Sequence, residues 1–153
     1  MGQLPAGGDV KVDITIREQL VFPLEARKVL QGYEEFSDLP NGRVVLAYSL
    51  AETAAEKVLA LADRARNEPR DLYDLWHLVS FESIDVSDLL PAITAKLAFR
   101  GQQAAGIQEA IIRKEARLNA LWSARLSNQT AVLPPFDQVF REIRRTLRQS
   151  SLP

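Results

Sequence analysis

Between Glu52 and Leu78 two helical periods are separated by a single break at Asn67-Glu68-Pro69, and no other stretch restricts the fold as strongly. In the first segment Val58, Leu61 and Ala62, with Ala54 one turn earlier, form an apolar stripe. The segment is expected to run to about Arg66. Lys57 and Arg64 are seven residues apart and so nearly aligned on one flank, while Glu52 and Glu56 stand one turn apart on another. In the second segment Pro69 suits the first helical turn. Leu72, Leu75, Trp76 and Val79 point inward, and Asp71 and Asp74 lie three apart on the side of His77 and Leu78. A lysine, several arginines and two aspartates are thus packed close together. The rest of the chain is arranged to hold them.

How much there is to hold them follows from length. At 153 residues the chain is one domain's worth, enough for a single core. It divides by pattern into a strand-rich part at 10–48, the central helix pair at 49–80 and a helical region at 86–150. With 46% hydrophobic and 25% charged residues, it falls outside the disordered class. Lys+Arg 19 against Asp+Glu 20 leaves a net charge of -1, so a polyanion would need a local basic patch. The absence of cysteine excludes disulfides and thiolate metal sites and agrees with a reducing cytoplasm. No apolar run approaches membrane-spanning length, and MGQLPAGGD is not a signal peptide. A cytoplasmic location without membrane association is the expectation.

Ahead of the helix pair, Val10 to Ile16 alternates, with Val10, Val12, Ile14 and Ile16 on one face and Lys11, Asp13 and Thr15 on the other. This predicts a half-buried strand showing one ammonium beside one carboxylate. Taken alone, that pair reads as a solvated face with a weak ion pair. Leu20-Val21-Phe22 is a short second extended piece stopped by Pro23. Leu24 to Gly32 carries mixed helical and irregular signals, and Asp38-Leu39-Pro40-Asn41-Gly42 is a strong turn. Arg43 to Tyr48 is the next strand, ending at Ser49-Leu50-Ala51-Glu52, a capping box that starts the first central helix near Leu50.

Behind the pair the chain is helical. One helix starts near Asp88, with Pro91 in its first turn, and ends at Arg100-Gly101. Another carries Ile107, Ile111, Leu118, Leu121, Trp122 and Leu126 at helical spacing, with Arg113, Lys114, Arg117 and Arg125 on the remaining surface. Ser127 to Pro135 is a linker. A last helix from about Phe136 buries Val139, Phe140, Ile143 and Leu147 and turns Arg141, Arg144, Arg145 and Arg148 outward. Such a run reads first as a solvated face and second as a docking surface for RNA phosphates. The fold class expected is α+β and mostly helical, with a small, incomplete sheet of two or three strands followed by a helical bundle.

Common catalytic signatures are missing. There is no G-x-x-x-x-G-K-[ST], no G-x-G-x-x-G, no G-x-S-x-G and no histidine pair for zinc. The lone His77 reads as a packed helix histidine. A metal site would have to be built from oxygens, and hard carboxylates suggest Mg²⁺.

Three segments in order carry a family resemblance: Val10-Lys11-Val12-Asp13-Ile14; Tyr48-Ser49-Leu50-Ala51-Glu52 leading into Ala55-Glu56-Lys57-Val58-Leu59-Ala60-Leu61; and Arg64 followed by Pro69-Arg70-Asp71-Leu72-Tyr73-Asp74-Leu75. In order, spacing and flanking hydrophobicity they resemble the AbiEii/AbiGii toxin family of nucleotidyltransferase-fold proteins, over roughly Val10 to Ser80. The tail with Trp122 and Pro-Pro-Phe-Asp is similar more loosely. E-K-x-x-A-L and R-D-x-Y-D-L in tandem form the specific part.

The resemblance implies Mg²⁺-dependent transfer of a nucleotidyl group from an NTP to an RNA end or a protein hydroxyl. It also implies tRNA as acceptor and restraint by an antitoxin protein. Two metals would activate the attacking hydroxyl and neutralise the leaving pyrophosphate, and lysine and arginine would hold the triphosphate. Carried over by residue, Asp13 matches the strand carboxylate and metal ligand, Lys57 the helix lysine, and Asp71 the first aspartate of R-D-x-Y-D. Lys11, Arg64, Arg70 and Asp74 are the supporting nucleotide-binding residues. The family's Gly-Ser turn and D-x-D strand occur nowhere in these residues. The sequence therefore reads as the C-terminal portion of a nucleotidyltransferase, inactive as this isolated chain. Two or three short strands would leave a sheet edge open to a second copy or a partner. The alternative function is a non-catalytic protein- or RNA-binding module, a component of toxin-antitoxin interaction.

Overall fold

A computed structural model describes residues 12, 14, 18–30 and 42–153. Strands β1, Glu25–Lys28, and β2, Val44–Ala47, pair antiparallel with Glu25 opposite Ala47 and Lys28 opposite Val44. Helices follow: α1 Leu50–Ala62, α2 Pro69–Phe81, a 3₁₀ turn Val86–Leu89 running into α3 Leu90–Phe99, α4 Ile107–Ile112, α5 Glu115–Leu126 and α6 Phe136–Gln149. The chain is thus α+β and mostly helical.

The pair that dominates the sequence also dominates the packing. α1 lies against α2, α3 and α4, while α2 lies against α5 and α6. Ala54, Ala55 and Val58 of α1 and Leu72 and Leu75 of α2 are fully buried, and the small alanines let the neighbouring elements come close. Val79, expected inside, is only half-buried. The remaining core comes from Ile93, Ile111, Leu118, Trp122, Val139, Phe140, Ile143 and Leu147.

The strand part departs from expectation. Of the predicted Val10–Ile16 strand only Val12 and Ile14 are among the described residues; they lie in no regular element and are 72% and 80% exposed. Leu20-Val21-Phe22 is not a strand either. The backbone N–H groups of Val21 and Phe22 donate to the Glu52 carboxylate at 3.3 and 3.0 Å, so they are unavailable for a ladder. Glu25–Lys28, read as mixed signal, is extended because β2 pairs with it, a partner 16 or more residues away in the register. Most of the Asp38–Gly42 turn lies outside the described residues; Gly42, at φ +80°, is its visible end. β2 leaves Val44, Val45 and Leu46 more than half exposed, an apolar strand with open faces.

One cap and two helix boundaries also differ. Ser49 caps α1, its Oγ accepting from the Glu52 N–H at 3.1 Å, but the Glu52 carboxylate does not reach back and the box is half made. α1 ends at Ala62 because Asp63 turns extended and its Oδ1 accepts from the Ala65 N–H at 2.9 Å. The long helix expected from Ile107 to Leu126 breaks at Arg113–Lys114 into α4 and α5. Lys114, expected on the surface, is 8% exposed: its ammonium donates to the carbonyls of Asp63 and Arg66 in the α1–α2 connection.

Candidate functional site

Lys57 points from α1 toward the first turns of α2. Its Nζ donates to Asp71 Oδ1 at 3.1 Å and to Asp74 Oδ2 at 2.5 Å, which the three-residue spacing of the two aspartates places on one side of the helix. Asp71 also receives the Arg66 guanidinium as a fork, Nε to Oδ2 at 2.5 Å and Nη2 to Oδ1 at 3.1 Å. The Asp71 side chain is 2% exposed, whereas Lys57 is 19% and Asp74 34% exposed. Burial pushes the Asp71 carboxyl up, but the hydrogen bonds from Arg66 and Lys57 outweigh it and hold the group below the usual range. A carboxylate in a helix's first turn is further favoured by the macrodipole. The buried carboxylate therefore fixes two cations, each of which keeps some exposed surface, Lys57 at 19% and Arg66 at 44%.

Not every expected residue joins this cluster. Lys57, Asp71 and Asp74 are brought together. Arg64 is not aligned with Lys57, because α1 stops two residues before it. It is exposed and lines an open cleft of about 1170 Å³ between α1, α3 and α4, with Arg66, Arg113 and Lys114 among its neighbours and Lys57 not among them. Arg70 is exposed and makes no hydrogen bond among the described residues. Lys11 and Asp13 lie outside the described residues. His77, half exposed, lies against Tyr73 and Phe81 at ring distances of 6.4 and 5.0 Å.

Sequence reasoning missed Arg66, which it took for the end of a helix. It also missed a second ionic cluster on α1's other flank. Lys96, 1% exposed, donates to Glu52 at 2.5 Å, Glu56 at 2.7 Å and the Gln19 carbonyl at 2.8 Å. Arg100 forks onto Glu56 at 3.1 and 2.9 Å. Burial lowers the Lys96 pKa, yet its two carboxylate partners raise it above the ordinary lysine value; burial raises Glu56, yet Lys96 and Arg100 bring it below the ordinary one. Through Glu52 and Lys96 this cluster ties the extended segment at Gln19–Phe22 to α1 and α3. The visible signal was a pair of carboxylates and a pair of cations, each at i, i+4 spacing on separate helices.

Among the described residues no group of three or more His, Cys, Asp or Glu side chains could hold a metal ion. Asp71 and Asp74 are already matched by cations, and Asp13, the carboxylate expected to hold Mg²⁺, lies outside the described residues. No helix among the described residues is long and apolar enough to cross a membrane.

Compared with known proteins, residues 3–142 match the family model described as "Nucleotidyl transferase AbiEii toxin, Type IV TA system". No curated protein and no solved structure matches the chain.

Proposed function

The chain belongs to the AbiEii nucleotidyl transferase toxin family, and from that membership we propose that it supplies one wall of a nucleoside triphosphate site, the nucleotidyl group passing to a hydroxyl of RNA or protein. The observation that supports this most is Lys57: a partly exposed ammonium held in place by one buried and one accessible carboxylate. Asp71, locked by Arg66, keeps the lysine aimed. Asp74 is the partner that an entering phosphate displaces, since it is the more exposed of the two and a phosphate oxygen offers Lys57 the same kind of acceptor. Arg64, in the α1–α2 connection, and Arg70, in the first turn of α2, both exposed, are the supporting cations. Asp13 and Lys11 complete the proposal from outside the described residues, Asp13 as the carboxylate proposed for Mg²⁺.

These residues contain neither a Gly-Ser turn nor D-x-D, so the isolated chain is proposed to bind nucleotide without turning it over. Calorimetric titration with each NTP tests the wall. Lys57→Ala is expected to weaken binding at least about tenfold, the scale of one lost charge-assisted hydrogen bond of about 1.5–3 kcal/mol. Binding that Lys57→Ala and Asp71→Asn both leave unchanged would sink it. Label transfer from NTP to tRNA by this chain alone would overturn the inactive clause.

The open apolar strand favours a second role. Val44, Val45 and Leu46 are the kind of surface a protein partner covers, here an antitoxin or a second copy, in a cytoplasmic toxin-antitoxin pair. A chain that sizes as a monomer and retains no antitoxin encoded beside it would count against that role.

A further inference from the structure

The last helix carries a charged surface that the Lys57 cluster does not use. Arg141, Arg144, Arg145 and Arg148 recur at i, i+3, i+4 and i+7 on α6, away from the face of Val139, Phe140, Ile143 and Leu147 that is buried in the core. The helix is held in register by the Trp76 indole, which donates to Glu142 at 2.6 Å. Together with Gln149 the four arginines line a groove of about 480 Å³ in which no carboxylate takes part. None of the four makes an ion pair among the described residues. Glu142, which falls within their span, is taken by Trp76 and by Gln138 at 3.3 Å. Arg144 Nε is buried and has no hydrogen-bond partner among the described residues, and a buried donor of this kind is costly unless an acceptor arrives from outside.

We propose that this stripe binds the phosphodiester backbone of a single-stranded polynucleotide. Guanidinium forks match phosphate oxygens, and a stripe seven residues long extends about 10 Å along the helix, enough to meet more than one phosphate. A protein partner would call for an apolar centre with aromatic anchors, and every residue lining this groove is polar. A duplex is the competing polyanion, and an unlabelled duplex that displaces the strand as well as a single strand does would overturn the single-strand assignment. With a chain net charge of -1, attraction is local to the stripe. The proposal shares no residue with the nucleotide wall and stands or falls separately.

Fluorescence anisotropy on the full chain tests it, with labelled oligouridine RNA and oligothymidine DNA over a range of salt. Expected is binding whose logarithm falls against log salt with a slope of about -2 to -3, as for three or four phosphate contacts on a single strand. Arg141→Gln, Arg145→Gln and Arg148→Gln combined, all at exposed positions, should weaken binding at least about tenfold and flatten that slope by about 2. Each single substitution should flatten it in part, which keeps the test valid if the triple variant unfolds. Arg117→Gln, at an exposed position on α5 outside both sites, should leave it unchanged. Equal binding of the two oligomers assigns the contact to the shared backbone, and preference for RNA adds a 2′-hydroxyl contact beside it. Absence of binding at low salt, binding indifferent to the arginine substitutions, or equal competition by polyglutamate overturns the proposal. An equal loss on Arg117→Gln overturns it too, and leaves the nucleotide wall standing.

Discussion

At Asp71 a carboxylate that would be costly to bury alone is offset by two cations, so its removal is strongly felt. Asp71→Ala would leave Lys57 and Arg66 facing each other without their shared partner; a loss of about 3–5 kcal/mol is expected, measured as a shift of the urea midpoint. The pH dependence has a definite sign. The folded carboxyl sits below its ordinary value, so its stabilisation is complete above an unfolded pKa of about 3.9 and is lost as pH falls through the folded pKa. Asp71→Asn should therefore cost stability at neutral pH and flatten the acid limb of a midpoint-against-pH profile. An acid limb as steep as wild type would show that another carboxylate carries it. Lys96 is the matching case on the opposite flank of α1: Lys96→Met would strand Glu52 and part of Glu56, with a similar expected loss of about 3–5 kcal/mol in the same measurement. Neither buried charge could be told from a surface one by its place in the sequence, because burial is set by what packs over it.

Helix α1 shows what is legible at the level of an element. Ser49 and the apolar spacing announce its start, and the structure agrees; Ser49→Ala should cost about 1 kcal/mol in the unfolding midpoint, the usual loss of an N-cap. Its end was misplaced by four residues, from Arg66 to Ala62. Helix-forming residues continue past Ala62, so local propensity had no reason to stop there. The stop comes from the Asp63 turn and from Lys114, which arrives from the α4–α5 break to take the carbonyls of Asp63 and Arg66. That early stop is also what lets Arg66 bend back onto Asp71. β1 failed for a related reason: Glu25–Lys28 has little strand character of its own and is extended by its pairing with Val44–Ala47.

Across the whole molecule, a helical core centred on α1 and α2 carries an apolar hairpin on one hand and an arginine stripe on the other. Val45 and Leu46, 52% and 71% exposed, contribute little to the core. Val45→Lys with Leu46→Lys should leave the unfolding midpoint within about 0.5 kcal/mol of wild type while abolishing any association read by light scattering. A large loss of stability would show that the hairpin is a structural part of the bundle instead.

By itself the sequence determined the family, the mostly helical α+β class and the order of the helices. Each depends on spacing within a segment or on residue identity, and these are written locally. Only the tertiary structure decided that Arg66 rather than Arg64 holds Asp71, that Lys96 and Lys114 are buried, and that Glu52 serves Lys96 and the Gln19–Phe22 segment instead of its own helix end. Those outcomes turn on where a chain leaves its helix and on which distant group comes to meet it. Arg66 and Asp71 are five residues apart across a helix break, the other contacts join segments 30 to 77 residues apart, and local spacing records neither kind.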